Sequence, residues 1–382
     1  MPSSLSIRTT RHTTRRAGAT WTSIVATTLV ATACASSNNA AASAPQEAVI
    51  VRQRDMTWPI KTRENVDLWL HGFALLQLDS TAKIPLFRRD YRDEMVVRKN
   101  QSNVLTQFDA NIDRLRSGIT SNPRMVDAQF AAMYFPSVEA MRTTITAYVG
   151  TNADPRAANT PALQMGFSVL ASYFPSAADR AWLSLFASSL WDEQDKYYHS
   201  YWMQTQRARG NVIDSVQALW QHLMRPRIQR FLNNTQQANG DIILSPPLGG
   251  EGRLLSGTGS KSYVLAVPFP ERPADAAQSM YVIAHEVVGN VVGHVVEDNV
   301  SPAQEREGLG NKLRTIGAVR GGLMLLEQLV PELADGYARY YLQTAGIKPG
   351  TSPKTQLATA FPLPDAIRSE IARQVESVQG GI

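Results

Sequence analysis

The chain has 382 residues, 43% of them hydrophobic, and a formal net charge of +5. Four of its 38 lysines and arginines precede residue 34, where no acidic residue occurs. The remainder is therefore nearly neutral, 34 basic against 33 acidic residues, which argues against a nucleic-acid partner. The single cysteine, Cys34, excludes both an intrachain disulfide and a metal site built from several thiolates.

Residues 1–33 have the pattern of a signal peptide that is cleaved off. Arginines come first, and the apolar stretch from Ser23 to Ala33 is too short to span a bilayer. The run LVATAC that ends at Cys34 resembles the lipobox of bacterial lipoproteins. The resemblance implies that the Cys34 thiol is acylated, becomes the first residue of the mature protein and holds it on a membrane. The alternative is an ordinary signal peptide that is cut near Ala33.

Residues 34–57 are predicted to be the lipidated N-terminus and a flexible tether, because they contain little that could pack into a core. Ala35 and Ser36 lack the aspartate that resembles an inner-membrane retention signal. We therefore expect a protein of the bacterial cell envelope, anchored in the outer membrane and facing the periplasm.

The folded part is expected to begin near Trp58. Between Val66 and Phe231 the apolar residues recur at helical spacing and are interrupted by Pro and Gly, which predicts about seven helices in a bundle spanning 58–239. We expect this region to form one compact unit with residues 240–382.

The sequence pattern changes from helical spacing to short apolar runs at residue 240. Asp241–Leu244 and Ser262–Pro268 are predicted strands on either side of a glycine-rich connection. A helix from Ala274 to about Asp298 follows, apolar almost all round and therefore buried. Further helices run to the C-terminus. The fold class is thus mainly α: a large helical domain with a small β-sheet segment before a buried central helix.

His285 and Glu286 lie inside that helix, in the string AHEVVGNVVGHVVED. Burying both without partners would cost several kcal/mol, so they need a structural or chemical reason. Strands, a helix with a His-Glu pair and a later helix with glutamates follow one another here, and this order resembles that of gluzincin zinc peptidases. The resemblance implies a zincin-like fold, a zinc cofactor and a peptide substrate. The roles it implies are zinc ligation by His285 with Glu327 or Glu332, general-base catalysis by Glu286, and oxyanion stabilisation by Tyr337 or Tyr340.

The metal motif is degenerate. Gly289 stands where the HExxH motif has its second histidine, and Asn290 stands where the HExxGH motif has it. The HExxGH motif is that of the dipeptidyl peptidase III family, whose second motif, EExxxE, would align with residues 327–332. Gln328 then takes the place of the ligand glutamate, and amide oxygens are poor zinc ligands. His294 lies nine residues after His285, on the opposite side of a straight helix.

An alternative reading gives the same residues a structural role. His285 and Glu286 would then hydrogen-bond to neighbouring loops, with Glu251 and Arg253 in the glycine-rich connection as natural partners. The protein would be a non-catalytic envelope lipoprotein that binds a peptide, a glycan or a protein partner in the same cleft. A helical scaffold without a cleft is the third alternative, and the sequence leaves all three open.

Overall fold

A small sheet lies between two helical layers in the computed structural model, which describes residues 58–77, 82–256 and 262–380. The signal peptide, the acylated Cys34 and the tether predicted for residues 1–57 lie outside the described residues. The strands of this sheet in the described ranges are β1 (Ile60–Lys61), β2 (Asn239–Ser245), β3 (Arg253–Ser256) and β4 (Ser262–Pro268).

The strand order is β1-β2-β4-β3, with β2 parallel to both of its neighbours and β3 antiparallel to β4 at one edge. Ile242 pairs with Leu265 in the central register. Side chains alternate between two hydrophobic cores, so that Ile242 faces one core and Ile243 the other. Covering on both faces explains why these strands are almost continuously apolar.

The first layer packs around the core that contains Ile243. Polar caps begin several of its helices: Thr106 and Asp109 form a capping box, as do Ser176 and Asp179. Its α-helices are α1 (Glu64–Leu76), α2 (Tyr91–Gln101), α3 (Gln107–Ser121), α4 (Val138–Gly150), α5 (Pro161–Tyr173), α6 (Ala177–Glu193) and α7 (His199–Ala208). A long 3-10 segment, Pro123–Tyr134, follows α3, and a π-helical turn, Gln194–Tyr198, joins α6 to α7.

The second layer packs around the core that contains Ile242. It includes α8 and α9, so the change of core falls between Tyr198 and Val212, earlier in the chain than residue 239. Its α-helices are α8 (Gly210–Ala218), α9 (Arg225–Asn234), α10 (Ala277–Val287), α11 (Gly289–Asn299), α12 (Pro302–Arg306), α13 (Leu309–Leu329), α14 (Pro331–Thr344), α15 (Pro353–Ala360) and α16 (Asp365–Gly380).

The predicted buried helix is present as two consecutive segments, α10 and α11, which are separated at Val288. Gly289 follows the break, and glycine has the lowest helix propensity after proline. α10 is buried on most sides, whereas α11 exposes Asn290 and His294. The predicted burial of this helix is thus found for most of α10, but not for α11.

The structure confirms the coarse fold class, since it is mainly helical with a small sheet ahead of the buried helix. Both layers and the sheet belong to one compact unit. Over the described ranges, no helix has the length and apolarity that a bilayer-spanning segment needs.

Candidate functional site

Glu286 faces the edge strand β3, and His285 is its neighbour on α10. Nδ1 of His285 donates to Oε1 of Glu286 at 3.0 Å, since a carboxylate can only accept. The backbone N–H groups of Gly252 and Leu254 donate to Oε1 and Oε2 of Glu286 at 3.2 and 3.1 Å. The side chains of His285 and Glu286 are only 7% and 13% exposed. The pair is therefore sealed, and Glu286 is held by both the helix and the strand.

Two glycines permit this close packing. A Cβ atom at Gly252 would lie 2.4 Å from a carbonyl oxygen of β4 and 3.2 Å from Cγ of Glu286. A Cβ atom at Gly322, on α13, would lie 2.3 Å from the hydroxyl of Tyr337 and 3.2 Å from the backbone nitrogen of His285. Larger residues at either position would push β3 or α13 away from α10.

The two groups shift each other's titration. Burial lowers the pKa of His285, but the hydrogen bond and charge of Glu286 and the charge of Glu251 outweigh burial and raise it above its ordinary value. Burial raises the pKa of Glu286, and the hydrogen bond and charge of His285 outweigh burial and lower it. The pair is thus biased towards imidazolium and carboxylate, whereas a metal-binding imidazole has to be neutral.

Three tyrosines lie around this pair, and the hydroxyls of Tyr337 and Tyr340 are bonded elsewhere. The Tyr341 ring stacks on His285 with 5.5 Å between ring centres. The Tyr337 hydroxyl donates to a carbonyl oxygen of α13 at 2.9 Å, and the Tyr340 hydroxyl donates to the carbonyl oxygen of Gly249 at 2.9 Å. Nε2 of His285 is buried and has no hydrogen-bond partner within the described part of the chain.

The predicted carboxylate ligands lie at the surface in ion pairs. Glu327 pairs with Lys354 at 3.3 Å, and Glu332 pairs with Arg227 at 2.6 Å. Their side chains are 43% and 42% exposed. No contact brings either carboxylate to His285 in the part of the chain that the structure covers.

The residues present do not fit a zinc centre in this arrangement. Structural zinc takes four protein ligands and catalytic zinc usually three. The two amides proposed as weak ligands, Asn290 and Gln328, are both exposed. Across residues 58–77, 82–256 and 262–380, no three His, Cys, Asp or Glu side chains are grouped so that they could hold a metal ion.

A groove of about 910 Å³ opens between the two layers close to β3. It lies beside the end of α1, the segment before α2, the 3-10 segment, α13 and the end of α15. Most of its lining is aliphatic or aromatic, including Phe73, Leu76, Phe87, Ile119, Ile316 and Phe361. These residues come from distant parts of the chain, so the groove had no signature in the sequence.

Glu251 connects the groove to the buried pair. It lines the groove and directly precedes Gly252, which donates to Glu286. Burial raises the pKa of Glu251, and the charge of His285 opposes this shift. The guanidinium of Arg253 lies 4.8 Å from the ring centre of Phe130. The glycine-rich connection therefore lies near His285 and Glu286, and the backbone N–H groups of Gly252 and Leu254, not the side chains of Glu251 and Arg253, make the hydrogen bonds to Glu286.

A second buried polar centre was missed by the sequence analysis. The two ring nitrogens of His71 lie 3.0 Å from the Tyr91 hydroxyl and 3.2 Å from Oε1 of Glu193. Nζ of Lys99 donates to both oxygens of Glu193, at 2.9 and 2.8 Å, and to Asp109 at 2.7 Å. His71, Lys99 and Glu193 are all buried. The centre joins α1, α2, α3 and α6.

Titration in this centre follows from the pairing. Burial lowers the pKa of His71, and the hydrogen bond and charge of Glu193 oppose this shift. Burial raises the pKa of Glu193, but His71 and Lys99 outweigh burial and lower it to about 2. The π-helical turn begins directly after Glu193, and such turns often occur at functional sites. Because the group is enclosed, we assign it to holding four helices together.

Asp67 is a further buried acid, one helical turn before His71. Trp202 donates from Nε1 to Oδ2 of Asp67 at 2.8 Å. Burial raises the pKa of Asp67 to about 7, and the polar groups of Ser245 and Trp202 oppose that shift. This carboxyl group, like the His71 centre, left no local signal in the sequence.

Comparison with known proteins adds no assignment: no family model, curated protein or solved structure matches this chain.

Proposed function

We propose that the chain is a lipid-anchored protein of the bacterial cell envelope whose folded domain binds an apolar ligand and catalyses no reaction. The observation that carries this proposal is the groove of about 910 Å³ with its aliphatic and aromatic lining. Small-molecule sites are typically concave, mostly apolar and roughly 300–1,000 Å³ in volume. A glycan would call for more polar groups than this lining offers.

The anchor in this proposal is the acylated Cys34, and residues 35–57 tether the domain to the outer membrane. The support is the lipobox-like run behind an arginine-rich leader. Several acyl chains, at about 0.8 kcal/mol per buried methylene, hold a folded domain on a bilayer. The domain then faces the periplasm, where apolar molecules need a carrier or a receptor.

His285 and Glu286 are structural in this proposal. They hold β3 against α10 and so place Glu251 in the wall of the groove. Strand addition by an extended peptide is disfavoured at β3, because the N–H of Leu254 is already bonded to Glu286. The apolar groove is therefore a better binding site than the strand edge.

Binding of the apolar dye N-phenyl-1-naphthylamine tests the proposal. The protein is the chain from residue 34 with Cys34→Ser, so that no attached acyl chain competes. Val126 lines the groove and is 38% exposed, whereas Val97 is 53% exposed and does not line it. We expect Val126→Asp to weaken dye binding at least tenfold and the matched Val97→Asp to leave it unchanged.

Absence of dye binding, or equal losses in the two variants, would contradict the proposal. Circular dichroism of both variants checks that they fold. A charge placed in an apolar site loses its hydration, so a real groove site has to respond to Val126→Asp.

A zincin-like metallopeptidase is the second candidate, favoured by the buried and unpartnered Nε2 of His285. Nδ1 of His285 is already bonded to Glu286, so Nε2 is the nitrogen that could bind a metal ion. Glu286 would then be the general base. Zinc content after equilibration with zinc chloride and gel filtration separates the candidates. Our proposal predicts equal background zinc in the wild type and in His285→Ala. One equivalent of zinc that His285→Ala loses would favour the peptidase.

A further inference from the structure

The groove has an apolar interior and lysines at its mouth. Lys83 and Lys312 both line it and both are exposed. They come from the segment before α2 and from the first turn of α13, so they approach the groove from different elements. Glu251 is the acidic residue of the lining.

Neither lysine is neutralised by a carboxylate of the described residues. Nζ of Lys83 donates to the carbonyl oxygen of Ala360 and lies 4.6 Å from the ring centre of Phe361. The side chain of Lys312 forms no hydrogen bond or ion pair with any residue the structure describes, unlike that of Lys354, which pairs with Glu327. Two ammonium groups that have no carboxylate partner among residues 58–77, 82–256 and 262–380 complement a ligand with a negative end.

Glu251 does not oppose such a ligand as strongly as an exposed carboxylate would. Burial raises its pKa, while the charges of His285 and Arg253 lie close enough to act on it. Lys83 and Lys312, by contrast, are exposed. The groove is therefore positively charged where the lysines lie, and the negative charge of Glu251 in its wall is reduced.

The size of the groove favours one flexible chain. A volume of about 910 Å³ is at the upper end of the roughly 300–1,000 Å³ that small-molecule sites occupy. An extended peptide would also need partners for its own backbone N–H and C=O groups. The aliphatic and aromatic walls offer few of them, whereas a hydrocarbon chain needs none.

We propose that the groove binds a long-chain fatty acid, with the hydrocarbon chain against Phe73, Phe87 and Phe361 and the carboxylate at Lys83 and Lys312. This inference rests on the proposed function, since it names the ligand of the same groove. Each methylene that leaves water adds to the affinity, so the hydrocarbon chain supplies most of it. The lysines select the anionic head.

Competition against bound N-phenyl-1-naphthylamine tests the inference with three probes of equal chain length. Dodecanoate, 1-dodecanol and dodecyltrimethylammonium share the chain and differ in the charge of the head. The protein is again the chain from residue 34 with Cys34→Ser. We expect dodecanoate to displace the dye best and dodecyltrimethylammonium worst.

Variants at the lysines make the test specific. In Lys83→Gln/Lys312→Gln the affinity for dodecanoate should fall about threefold to tenfold, as exposed ion pairs are individually weak. The affinity for dodecanol should stay the same. Lys348→Gln is the matched control, because Lys348 is exposed and does not line the groove.

The outcomes separate the two proposals. If dodecanol binds as well as dodecanoate and the double variant changes neither, the fatty-acid inference is overturned and the apolar site stands. If dodecyltrimethylammonium binds best, Glu251 governs the head and the inference is also overturned. If neither the dye nor any probe binds, the proposed function itself fails.

Discussion

The two buried polar centres of this molecule contrast in how they are built. His285 and Glu286 are neighbours on one helix, and the backbone N–H groups of Gly252 and Leu254, at the start of β3, donate to the carboxylate of Glu286. The His71 centre instead brings Lys99 and Glu193 together from helices far apart in sequence. The first centre could be recognised from adjacent residues in the sequence. The second could be recognised only after the helices have packed together.

The contrast teaches that a motif marks a polar pair without revealing its role. The His-Glu string looks catalytic, yet its carboxylate is occupied by the strand it supports. The His71 centre has no motif, yet it holds a buried ion pair between Lys99 and Glu193. Substitutions in the two centres should therefore differ in size, and that difference can be measured.

Glu193→Gln should have the largest effect. It leaves the buried ammonium of Lys99 with one carboxylate fewer, and breaking a buried ion pair costs about 3–5 kcal/mol. Urea denaturation measures the free energy of unfolding. Asp195→Asn is the control, because Asp195 is 67% exposed and its loss should cost less than about 0.5 kcal/mol. Equal effects in the two variants would mean that the centre is not a structural core.

Asp67 should give the fold an unusual dependence on pH. Its folded pKa of about 7 lies above the ordinary 3.8, so the folded state holds the proton more tightly. Its contribution to stability is present below pH about 4 and is lost as pH rises to about 7. Asp67→Asn should remove that loss, a difference of a few kcal/mol between pH 4 and 8, because one pKa unit is about 1.4 kcal/mol. Parallel curves of unfolding free energy against pH would refute it.

Glu193 should act in the opposite direction at lower pH. Its folded pKa of about 2 lies below the ordinary 4.5, so its contribution is present above pH 4.5 and is lost as pH falls towards 2. The same urea titrations, extended to pH 3, measure this loss. Glu193→Gln should lack it.

Glu286→Gln should have an intermediate effect. A glutamine offers one acceptor oxygen to the two backbone N–H groups of Gly252 and Leu254, and a buried donor left unpaired costs about 1–3 kcal/mol. Glu297→Gln, on the exposed side of α11, is the control. An unchanged free energy of unfolding in Glu286→Gln would show that β3 does not depend on this carboxylate.

Glu332→Gln should have the smallest effect. Its ion pair with Arg227 is exposed, and such pairs add little to stability. We expect no measurable change in unfolding or in dye binding. Loss of a bound metal ion in this variant would instead support the ligand role suggested by the gluzincin resemblance.

Much of the coarse architecture could be predicted from local sequence patterns. The apolar runs at Asp241–Leu244 and Ser262–Pro268 are the central strands β2 and β4, and α10 is buried as its composition indicates. β1 and β3 are too short for an alternating pattern and form by pairing with β2 and β4. The break at Val288 was hidden by the apolar residues on both sides of it.

The site could be predicted only where its parts are adjacent in sequence. His285 and Glu286 satisfy this condition, whereas Gly252 is 34 residues away from Glu286 in the chain. The groove does not satisfy it, because Phe73, Val126 and Phe361 meet only after the layers pack. Likewise, nothing in the local sequence shows that Glu332 pairs with Arg227 at the surface.

Photocrosslinking with a diazirine-bearing dodecanoate, followed by peptide mapping, tests the central claim most directly. The account predicts that adducts concentrate on the peptides that contain Phe73, Phe87 and Phe361, and that excess dodecanoate removes them. Adducts spread over the exposed apolar residues Val97 and Leu105, and insensitive to excess dodecanoate, would contradict it.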